Sequence, residues 1–515
     1  MLQALSRLPL VVALMAVSAA LMQLPALHAL VTQDFFTARV FFYSGLIFGF
    51  LALFMAIATA GRAETTRPRQ HLLALLGLFT GLPLMLAVPL HQAVGNTSFL
   101  NAYVEMVSDL TTTGATLFDD PGRLAPSVHL WRALVGWLGG AIMWVAAVAI
   151  LAPMQLGGFE VRATLGEAGQ SLFAGAGAES GAGGQGFRAA GTSARLRTYT
   201  ARLIPLYTGL TAILWLGLML AGDSAFVAFN HALSTMATSG ISPVGGLAGA
   251  RAGVAGEIMV ALFMVFAISR LAFAREGQAG EARRFVADPE VRLAFAIVVL
   301  VTAVLFLRHW IGAYEVEAEG NLAAGVGALW GIAFTVLSFL TTTGFQSVDW
   351  AGAQGWSGLE TQGLVLLGLA VIGGGVATTA GGAKLLRVYA LYKHSRRELE
   401  RLVLPDSVAG AGREARHIRR RGAFRAWIFF MLLSLSVAVL MLAFAMAGEG
   451  FEPSMVLAIA ALTTTGPLAQ VATLDPISYG ALAPVSKLIL AAGMVIGRLE
   501  MLAIVALFNP DVWRR

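Results

Sequence analysis

Threonine and glycine recur together at four points of the chain, in a pattern that could bind a cation. Main-chain carbonyl oxygens can replace the water shell of an alkali cation, and threonine hydroxyls add uncharged oxygen ligands. Glycine permits a positive φ and a close approach of two backbones. These groups predict a path for a monovalent cation. The four sets are Thr112, Thr113 and Gly114; Thr238, Ser239 and Gly240; Thr342, Thr343 and Gly344; and Thr464, Thr465 and Gly466.

Each set follows a short apolar run and precedes a polar turn, as at the end of a half-helix. Non-helical backbone at membrane depth persists only where protein buries it or where it lines a water-filled path. A half-helix also aims the negative end of its dipole at its last turn. The alternative is that threonine and glycine only let membrane helices pack closely. Four copies in the same setting favour the cation path, because helix packing does not require a half-helix before each copy.

The composition is that of an integral membrane protein. The chain has 515 residues, of which 57% are hydrophobic and 12% are charged, which is too apolar for an ordinary soluble protein. The absence of cysteine excludes disulfides and thiolate metal sites and fits a bacterial inner membrane. The formal net charge is +6, but the basic residues cluster between apolar spans. The charge therefore indicates topology, and we expect no nucleic-acid partner.

The elements around the four sets predict an all-α polytopic membrane protein. Two leading transmembrane helices precede four modules with pseudo-fourfold symmetry, each a helix, a re-entrant pore loop and a second helix. We expect ten full crossings, including inner spans at Gly256–Ala274, Leu364–Ala390 and Leu488–Phe508. The predicted units are residues 1–70 (leading helices), 71–160 (pore module 1), 161–200 (Gly-rich cytoplasmic loop), 201–280 (module 2), 281–395 (module 3 with an intramembrane loop), 396–425 (basic cytoplasmic segment) and 426–515 (module 4).

The distribution of Lys and Arg predicts the orientation. The positive-inside rule places both termini in the cytoplasm and the four threonine turns towards the outside. The span Leu8–Leu30 is either a retained anchor, which we favour, or a cleaved signal peptide. The basic segment Arg396–Arg425 suits contact with anionic lipid head groups. The alternative is that it docks a cytoplasmic partner.

Several stretches resemble one family. They are Tyr103 to Ser108 before the first turn, Trp137-Leu138-Gly139-Gly140, Phe229 to Ala232, Gly373 to Lys384 and Gly497-Arg498-Leu499-Glu500. With them the chain resembles the TrkH-type subunit of the Trk/Ktr potassium-uptake superfamily. The resemblance implies a pore for K⁺ inside one chain, with the four glycines at its constriction. It also implies a homodimer and a separate cytoplasmic nucleotide-binding regulatory subunit of the TrkA type. The residues alone would indicate only a monovalent cation.

A gate is expected below the filter. The inner span of module 3 is interrupted by residues that weaken a helix and tolerate an unwound loop. The resemblance implies that this intramembrane loop obstructs the path. Arg498 is expected about ten residues before the end of the last span, either in a salt bridge between spans or, as the resemblance implies, in the pore. The gate residues are Gly373, Gly374, Gly375, Thr378, Thr379, Gly381, Gly382 and Arg498.

Two basic residues, the fourth filter segment and the absence of catalytic motifs give further expectations. Lys384 and Arg387 are expected to snorkel to the cytoplasmic interface. The fourth filter segment departs from the family pattern after Pro467, where a small residue is missing. A coupled secondary transporter for an organic solute is the main alternative, since broken helices also build such sites, but four similar modules argue against it. The chain contains no recognisable catalytic or nucleotide-binding motif, so we expect no enzyme.

Overall fold

The computed structural model of the protein is helical. It describes residues 9–59, 68–154, 156–162, 192–269, 285–311, 322–359, 361–403, 422–501 and 503–504, and these residues contain helices and turns but no β-strand. The prediction of an all-α membrane architecture is confirmed. The predicted loop 161–200 and basic segment 396–425 lie mostly outside the described residues.

The first two crossings form a unit beside the modules. Helices α1 (Leu10–Leu21) and α2 (Gln23–Val31) form one apolar span and pack against α3 (Phe35–Thr59). Large apolar side chains remain exposed on α3, including Phe50 and Phe54. Because an apolar helix surface is stable in lipid and not in water, this face suits contact with the bilayer.

Each module contains an outer helix, a short pore helix that ends at a threonine turn, and an inner segment. Module 1 has α4 (Pro68–Val94), α5 (Phe99–Leu110) and α6 (Pro126–Ala146), followed by a short π-helix (Ala147–Leu151) and α7 (Phe159–Arg162). Module 2 has α8 (Thr192–Leu220), α9 (Ala225–Ala237) and α10 (Gly253–Met264). Module 3 has α11 (Pro289–Ile311), α12 (Leu322–Leu340), α13 (Trp350–Ser357), α14 (Gln362–Ile372) and α15 (Leu385–Val403). Module 4 has α16 (Ala423–Met446), α17 (Phe451–Thr463), α18 (Leu468–Val471) and α19 (Pro484–Leu499).

The modules close into a ring through a repeated contact. The inner segment of each module packs against the pore helix of the next: α6 against α9, α10 against α12, α14 against α17, and α19 against α5. The last contact returns to module 1. The four threonine turns at the ends of the pore helices therefore face a common centre.

Local sequence explains where two of the pore helices begin. Ser98 precedes α5 and its hydroxyl accepts the Asn101 N–H at 3.2 Å, while Ser224 precedes α9 and accepts the Val227 N–H at 3.4 Å. A serine in this position satisfies one of the free N–H groups of the first helical turn. These two pore helices are thus fixed at both ends, by a serine cap and by the filter turn.

The expected lengths of three inner spans need correction. Among the described residues, seven helical spans are long and apolar enough to cross a membrane. The inner segments of modules 2 to 4 are shorter or interrupted: α10 has 12 residues, the segment of module 3 breaks between α14 and α15, and α19 ends at Leu499. The sequence pattern overestimated the lengths of these helices because the apolar composition continues through the helix breaks. Hydrogen bonds to neighbouring modules stabilise those breaks.

Glu257 on α10 joins module 2 to module 3. Its side chain is buried and accepts the Trp330 indole N–H at 2.7 Å, the Ser347 hydroxyl at 2.8 Å and the Val348 backbone N–H. Ser347 and Val348 follow the third filter glycine. One carboxylate therefore fixes the chain that leaves the filter of the next module.

We expect Glu257→Ala to lower the thermal unfolding midpoint of the detergent-solubilised protein. The substitution leaves three donors without their acceptor, and each buried unsatisfied group costs about 1–3 kcal/mol. Glu452→Ala is the control, because Glu452 is exposed on α17 and surface substitutions change stability little. Equal midpoints for the two variants would show that Glu257 does not join the modules.

Candidate functional site

The four pore helices end in the same backbone motif. In module 1 the N–H of Thr113 donates to the Ser108 carbonyl at 2.8 Å and the N–H of Thr112 donates to the Asp109 carbonyl at 3.0 Å. This pair of bonds is the Schellman motif, which closes a helix C-terminus with one left-handed residue. The same two N–H to carbonyl bonds recur in the other modules. They run from Ser239 to Ser234 and from Thr238 to Thr235 in module 2, from Thr343 to Ser338 and from Thr342 to Phe339 in module 3, and from Thr465 to Ala460 and from Thr464 to Ala461 in module 4.

The left-handed residue of each motif is a threonine. The φ angles are 56° at Thr112, 53° at Thr238, 58° at Thr342 and 52° at Thr464. Glycine is the usual residue here, and a β-branched side chain in this region is strained by about 1–3 kcal/mol. The sequence pattern predicted a positive φ at the glycines and not at the threonines. The signal that could have found them is a threonine at the position where a helix cap normally requires glycine.

The four filter glycines allow neighbouring backbone segments to approach closely, but they do not all adopt the same backbone conformation. Gly114, Gly240 and Gly344 have φ angles of 70°, 67° and 81°, as predicted for a turn glycine. Gly466 does not adopt a positive φ, which corrects the expectation for module 4. There the chain enters Pro467 and the short helix α18 directly. The missing small residue after Pro467 coincides with this different exit from the filter.

The filter segments contact one another in the order of the modules. A Cβ atom on Gly114 would collide with the Ser239 carbonyl oxygen, and one on Gly240 would collide with the Thr343 carbonyl oxygen. A Cβ on Gly344 would lie 2.6 Å from Cγ of Pro467. The ring closes where the Gly466 N–H donates to the Thr113 carbonyl at 2.6 Å. The twelve candidate residues come from distant parts of the sequence and thus meet in one ring. The carbonyl oxygens of the ring contact the neighbouring filter segments.

Six of the eight hydroxyls of the ring bond to another hydroxyl or to a backbone group, including Thr238 to the Ala237 carbonyl at 2.7 Å and Thr342 to the Gly381 N–H at 2.7 Å. Those of Thr113, Thr343 and Thr465 pair with the threonine two residues earlier at 2.8, 3.0 and 3.3 Å, and Ser239 pairs with Ser234 at 3.1 Å. The hydroxyls of Thr112 and Thr464 are buried and have no hydrogen-bond partner among the described residues. Because burying an unpaired hydroxyl is unfavourable, these two oxygens are available to a ligand in the ring.

A polar residue nine positions before the filter glycine anchors the chain beyond it in three modules. Glu105 accepts the Leu117 N–H at 2.7 Å, Thr335 accepts the Ser347 N–H at 3.2 Å, and His231 bonds to the Ser242 hydroxyl at 2.8 Å. Glu105 also pairs with Arg132 on α6. Module 4 has Leu457 at this position, and its Gly466 carbonyl instead accepts the Tyr479 hydroxyl at 2.7 Å. This repeat was not predicted, although alignment of the four glycines in the sequence reveals it.

The predicted intramembrane loop lies directly against the filter. Between α14 and α15, the Gly381 N–H donates to the Thr342 hydroxyl at 2.7 Å, and the Thr379 hydroxyl donates to the Met236 carbonyl at 3.2 Å. A Cβ on Gly381 would also collide with the Thr463 carbonyl oxygen. The loop therefore contacts the filter turns of modules 3 and 4 and the last turn of the pore helix of module 2. The other candidate gate residues, Gly373, Gly374, Gly375, Thr378 and Gly382, lie in the same loop.

The loop is fixed by its neighbours. The Gly375 N–H donates to the Ala267 carbonyl at 2.9 Å, and the Val376 N–H donates to the buried Glu290 carboxylate at 2.9 Å. Gly373 and Gly382 have φ angles of 73° each, and Ala377 has 60°. Left-handed residues other than glycine are unfavourable. Contacts from modules 2 and 3 therefore stabilise a conformation that the loop sequence alone would not select.

Arg498 meets the loop from module 4. Its Nη1 donates to the Thr379 carbonyl at 2.7 Å, and the side chain is buried. The sequence predicted one continuous span that ends about ten residues after Arg498, whereas α19 ends at Leu499 and Arg498 lies in its last turn. The salt bridge between spans is not formed by Arg498 among the described residues. Its Nε and Nη2 have no hydrogen-bond partner there either.

The expectation that Lys384 and Arg387 snorkel was wrong. Both side chains are buried. Lys384 donates to the Ala380 carbonyl within the loop, and Arg387 pairs with Glu500 at 2.7 Å. Helix α15 has 19 residues, from Leu385 to Val403. Lys384 directly precedes it and Arg387 lies in its first turn, so both residues lie beside the loop rather than at the far end of the helix.

Comparison with known proteins agrees with this architecture. A family model described as TrkH, a cation transport protein, matches residues 203–514. The chain belongs to this family. The TrkH family is one of transport proteins, which confirms the expectation that the chain is not an enzyme.

Individual TrkH relatives match over nearly the whole chain. The Trk system potassium uptake protein TrkH of Salmonella typhimurium is 28% identical over 96% of this chain and 96% of its own. The protein of the same name from Halomonas elongata is 28% identical over 86% of this chain and 84% of its own. The crystal structure of the potassium transporter TrkH from Vibrio parahaemolyticus superposes with a TM-score of 0.78 at 25% identity and covers 99% of both chains.

The strain at the filter threonines predicts an unusual stability effect. We expect Thr112→Gly to raise the thermal unfolding midpoint, because glycine removes about 1 kcal/mol of left-handed strain and the Thr112 side chain makes no hydrogen bond within the described part of the chain. Thr342→Gly is the matched variant, which also loses the bond from Gly381 and should gain less. A lower midpoint for Thr112→Gly than for the parent would contradict the assignment of strain.

Proposed function

We propose that the chain carries potassium ions into the cell through the ring of four filter turns. The observation that carries this proposal is the repeated left-handed threonine cap, which recurs in four modules that contact one another in cyclic order. The TrkH relatives are a potassium uptake protein and a potassium transporter, which supports K⁺ as the ion. K⁺ is here a transported substrate and not a cofactor.

The filter would replace the water around K⁺ with protein oxygens. The candidate ligands are the carbonyl and hydroxyl oxygens of the twelve ring residues, and the four pore helices point the negative ends of their dipoles at them. The hydroxyls of Thr112 and Thr464 are the side-chain oxygens free to take part. The Thr113 carbonyl accepts the Gly466 N–H and keeps a second lone pair with which it could coordinate an ion.

The loop between α14 and α15 would serve as the gate. It contacts the ends of three of the four pore helices, and the Arg498 guanidinium on the Thr379 carbonyl adds a positive charge below the ring. A fixed positive charge raises the electrostatic barrier to a cation. Opening would require the loop to move away from the filter together with Arg498.

The remaining assignments complete the proposal. The chain would lie in the bacterial inner membrane with both termini in the cytoplasm and would form a homodimer. A cytoplasmic nucleotide-binding subunit of the TrkA type would regulate it, acting at the basic segment 396–425. The seven unit boundaries given by the sequence, from 1–70 to 426–515, stand as part of the same proposal.

We expect Gly344→Ser to erode the preference for K⁺ over Na⁺. A Cβ at this position meets Pro467 at 2.6 Å, so the ring must shift by several tenths of an ångström, and filter selectivity depends on the arrangement of its oxygens. The measurement is uptake of Rb⁺ and Na⁺ by liposomes that contain the purified protein. Gly352→Ser is the control, since its Cβ would meet nothing within 4 Å. Equal Rb⁺ and Na⁺ uptake by the parent protein would disprove the selectivity.

We expect a double substitution, Arg396→Gln with Arg401→Gln, to weaken binding of the purified regulatory subunit. Both arginines are exposed near the end of α15, where they can meet an acidic partner surface. Binding is measured by co-elution on size-exclusion chromatography, with Arg251→Gln as the control because Arg251 lies in a loop on the opposite side. Unchanged co-elution of the double variant would remove the basic segment from the docking surface.

A further inference from the structure

Arg387 and Glu500 form a buried ion pair behind the gate. Nη2 of Arg387 lies 2.7 Å from Oε2 of Glu500, and the side chains are 0% and 6% exposed. Nη1 of Arg387 also donates to the Ala383 carbonyl at 3.1 Å. The guanidinium lies 3.8 Å from the centre of the Phe429 ring on α16, a favourable cation–π geometry. The arginine therefore ties together the end of the loop, α16 and the chain beyond α19.

The pair also controls how α19 ends. Glu500 has φ 65° and ψ 137°, which interrupts the helix directly after Leu499. In a continuous helix, residues two positions apart do not share a face. The interruption turns Glu500 towards Arg387 while Arg498 points at Thr379. The contact of Arg498 with the loop thus depends on a strained residue that the ion pair fixes.

The chemistry of the pair is better suited to a switch than to stability alone. Burying two opposite charges gains little over a well-packed apolar pair of the same size, whereas removal of one charge strongly destabilises the arrangement that held the other. An ion pair therefore favours one conformation strongly and is lost when its partners separate. Arg387 lies in the first turn of α15, and Glu500 directly follows α19. These two elements lie on either side of the gate.

We propose that the Arg387–Glu500 pair is a latch that holds Arg498 against the loop and keeps the gate closed. Arg387 and Glu500 are positioning residues, because they act through Arg498 and the loop and do not face the filter ring. The helix α15 begins next to the latch and leads towards the basic segment 396–425, so a force on its outer end reaches the pair. This inference rests on the proposed function, since it assigns a regulation to the same gate.

The first test measures Rb⁺ uptake by liposomes that contain the full chain without any partner. Glu500→Gln keeps the shape of the side chain and removes its charge, and it should raise basal Rb⁺ uptake about tenfold, equivalent to roughly 1.4 kcal/mol of lost closed-state stabilisation. The preference for Rb⁺ over Na⁺ should not change, because the filter is untouched. Arg387→Lys retains the charge and should restore part of the closed behaviour relative to Arg387→Met. Lys393→Gln removes a cation from the same helix outside the pair and should leave uptake at the parent level.

The second test does not depend on transport. The natural chain has no cysteine, so Thr235→Cys introduces a single thiol into the cavity that Thr235 lines with Thr378 and Thr379 beneath the filter. A membrane-impermeant methanethiosulfonate reagent applied from the cytoplasmic side should modify this thiol slowly in the parent background. With Glu500→Gln it should react about tenfold faster, in proportion to the greater open population.

The outcomes separate the latch from the proposed function. Faster labelling together with higher Rb⁺ uptake supports the latch. Unchanged labelling with unchanged or lower uptake overturns it and assigns the pair to stability only. If the parent protein does not prefer Rb⁺ over Na⁺ but Glu500→Gln still accelerates labelling, the potassium function fails and the latch remains.

Discussion

The structure depends on one constraint, which is that backbone groups inside a membrane find no water to satisfy them. Four pore helices end within the protein, and their last N–H and C=O groups must bond elsewhere. Each helix meets this need with the same cap, in which a strained threonine directs the following residues towards the centre. The cap satisfies some carbonyls and leaves others facing the neighbouring modules. A ring of oxygens is the direct result.

The same constraint explains the loop beneath the ring. The inner segment of module 3 unwinds between α14 and α15, and its backbone groups bond to the Ala267 carbonyl, the Glu290 carboxylate and the Thr342 hydroxyl. The filter and the loop therefore share hydrogen bonds. Movement of the loop changes the surroundings of the filter turns, and buried charges at Arg498, Arg387 and Glu500 determine which arrangement is favoured.

The sequence predicts the helical membrane architecture, the four modules and the residues that meet in the ring, because these follow from apolar runs and a repeated motif. It could not predict which residue of each turn is left-handed, since propensity assigns that conformation to glycine and the packed ring imposes it on threonine. It misplaced the end of α19 and the surroundings of Arg387. Both depend on a pairing between residues 113 positions apart, and no local pattern reports such a pairing.

The central claim is that protein oxygens in the ring take the place of water around K⁺ more effectively than around Na⁺. The most direct measurement is the reversal potential of the purified protein in a planar lipid bilayer, with K⁺ on one side and Na⁺ on the other. The account predicts a reversal potential close to the equilibrium potential for K⁺. A reversal potential near zero under the same gradient, with a measurable current, would contradict it.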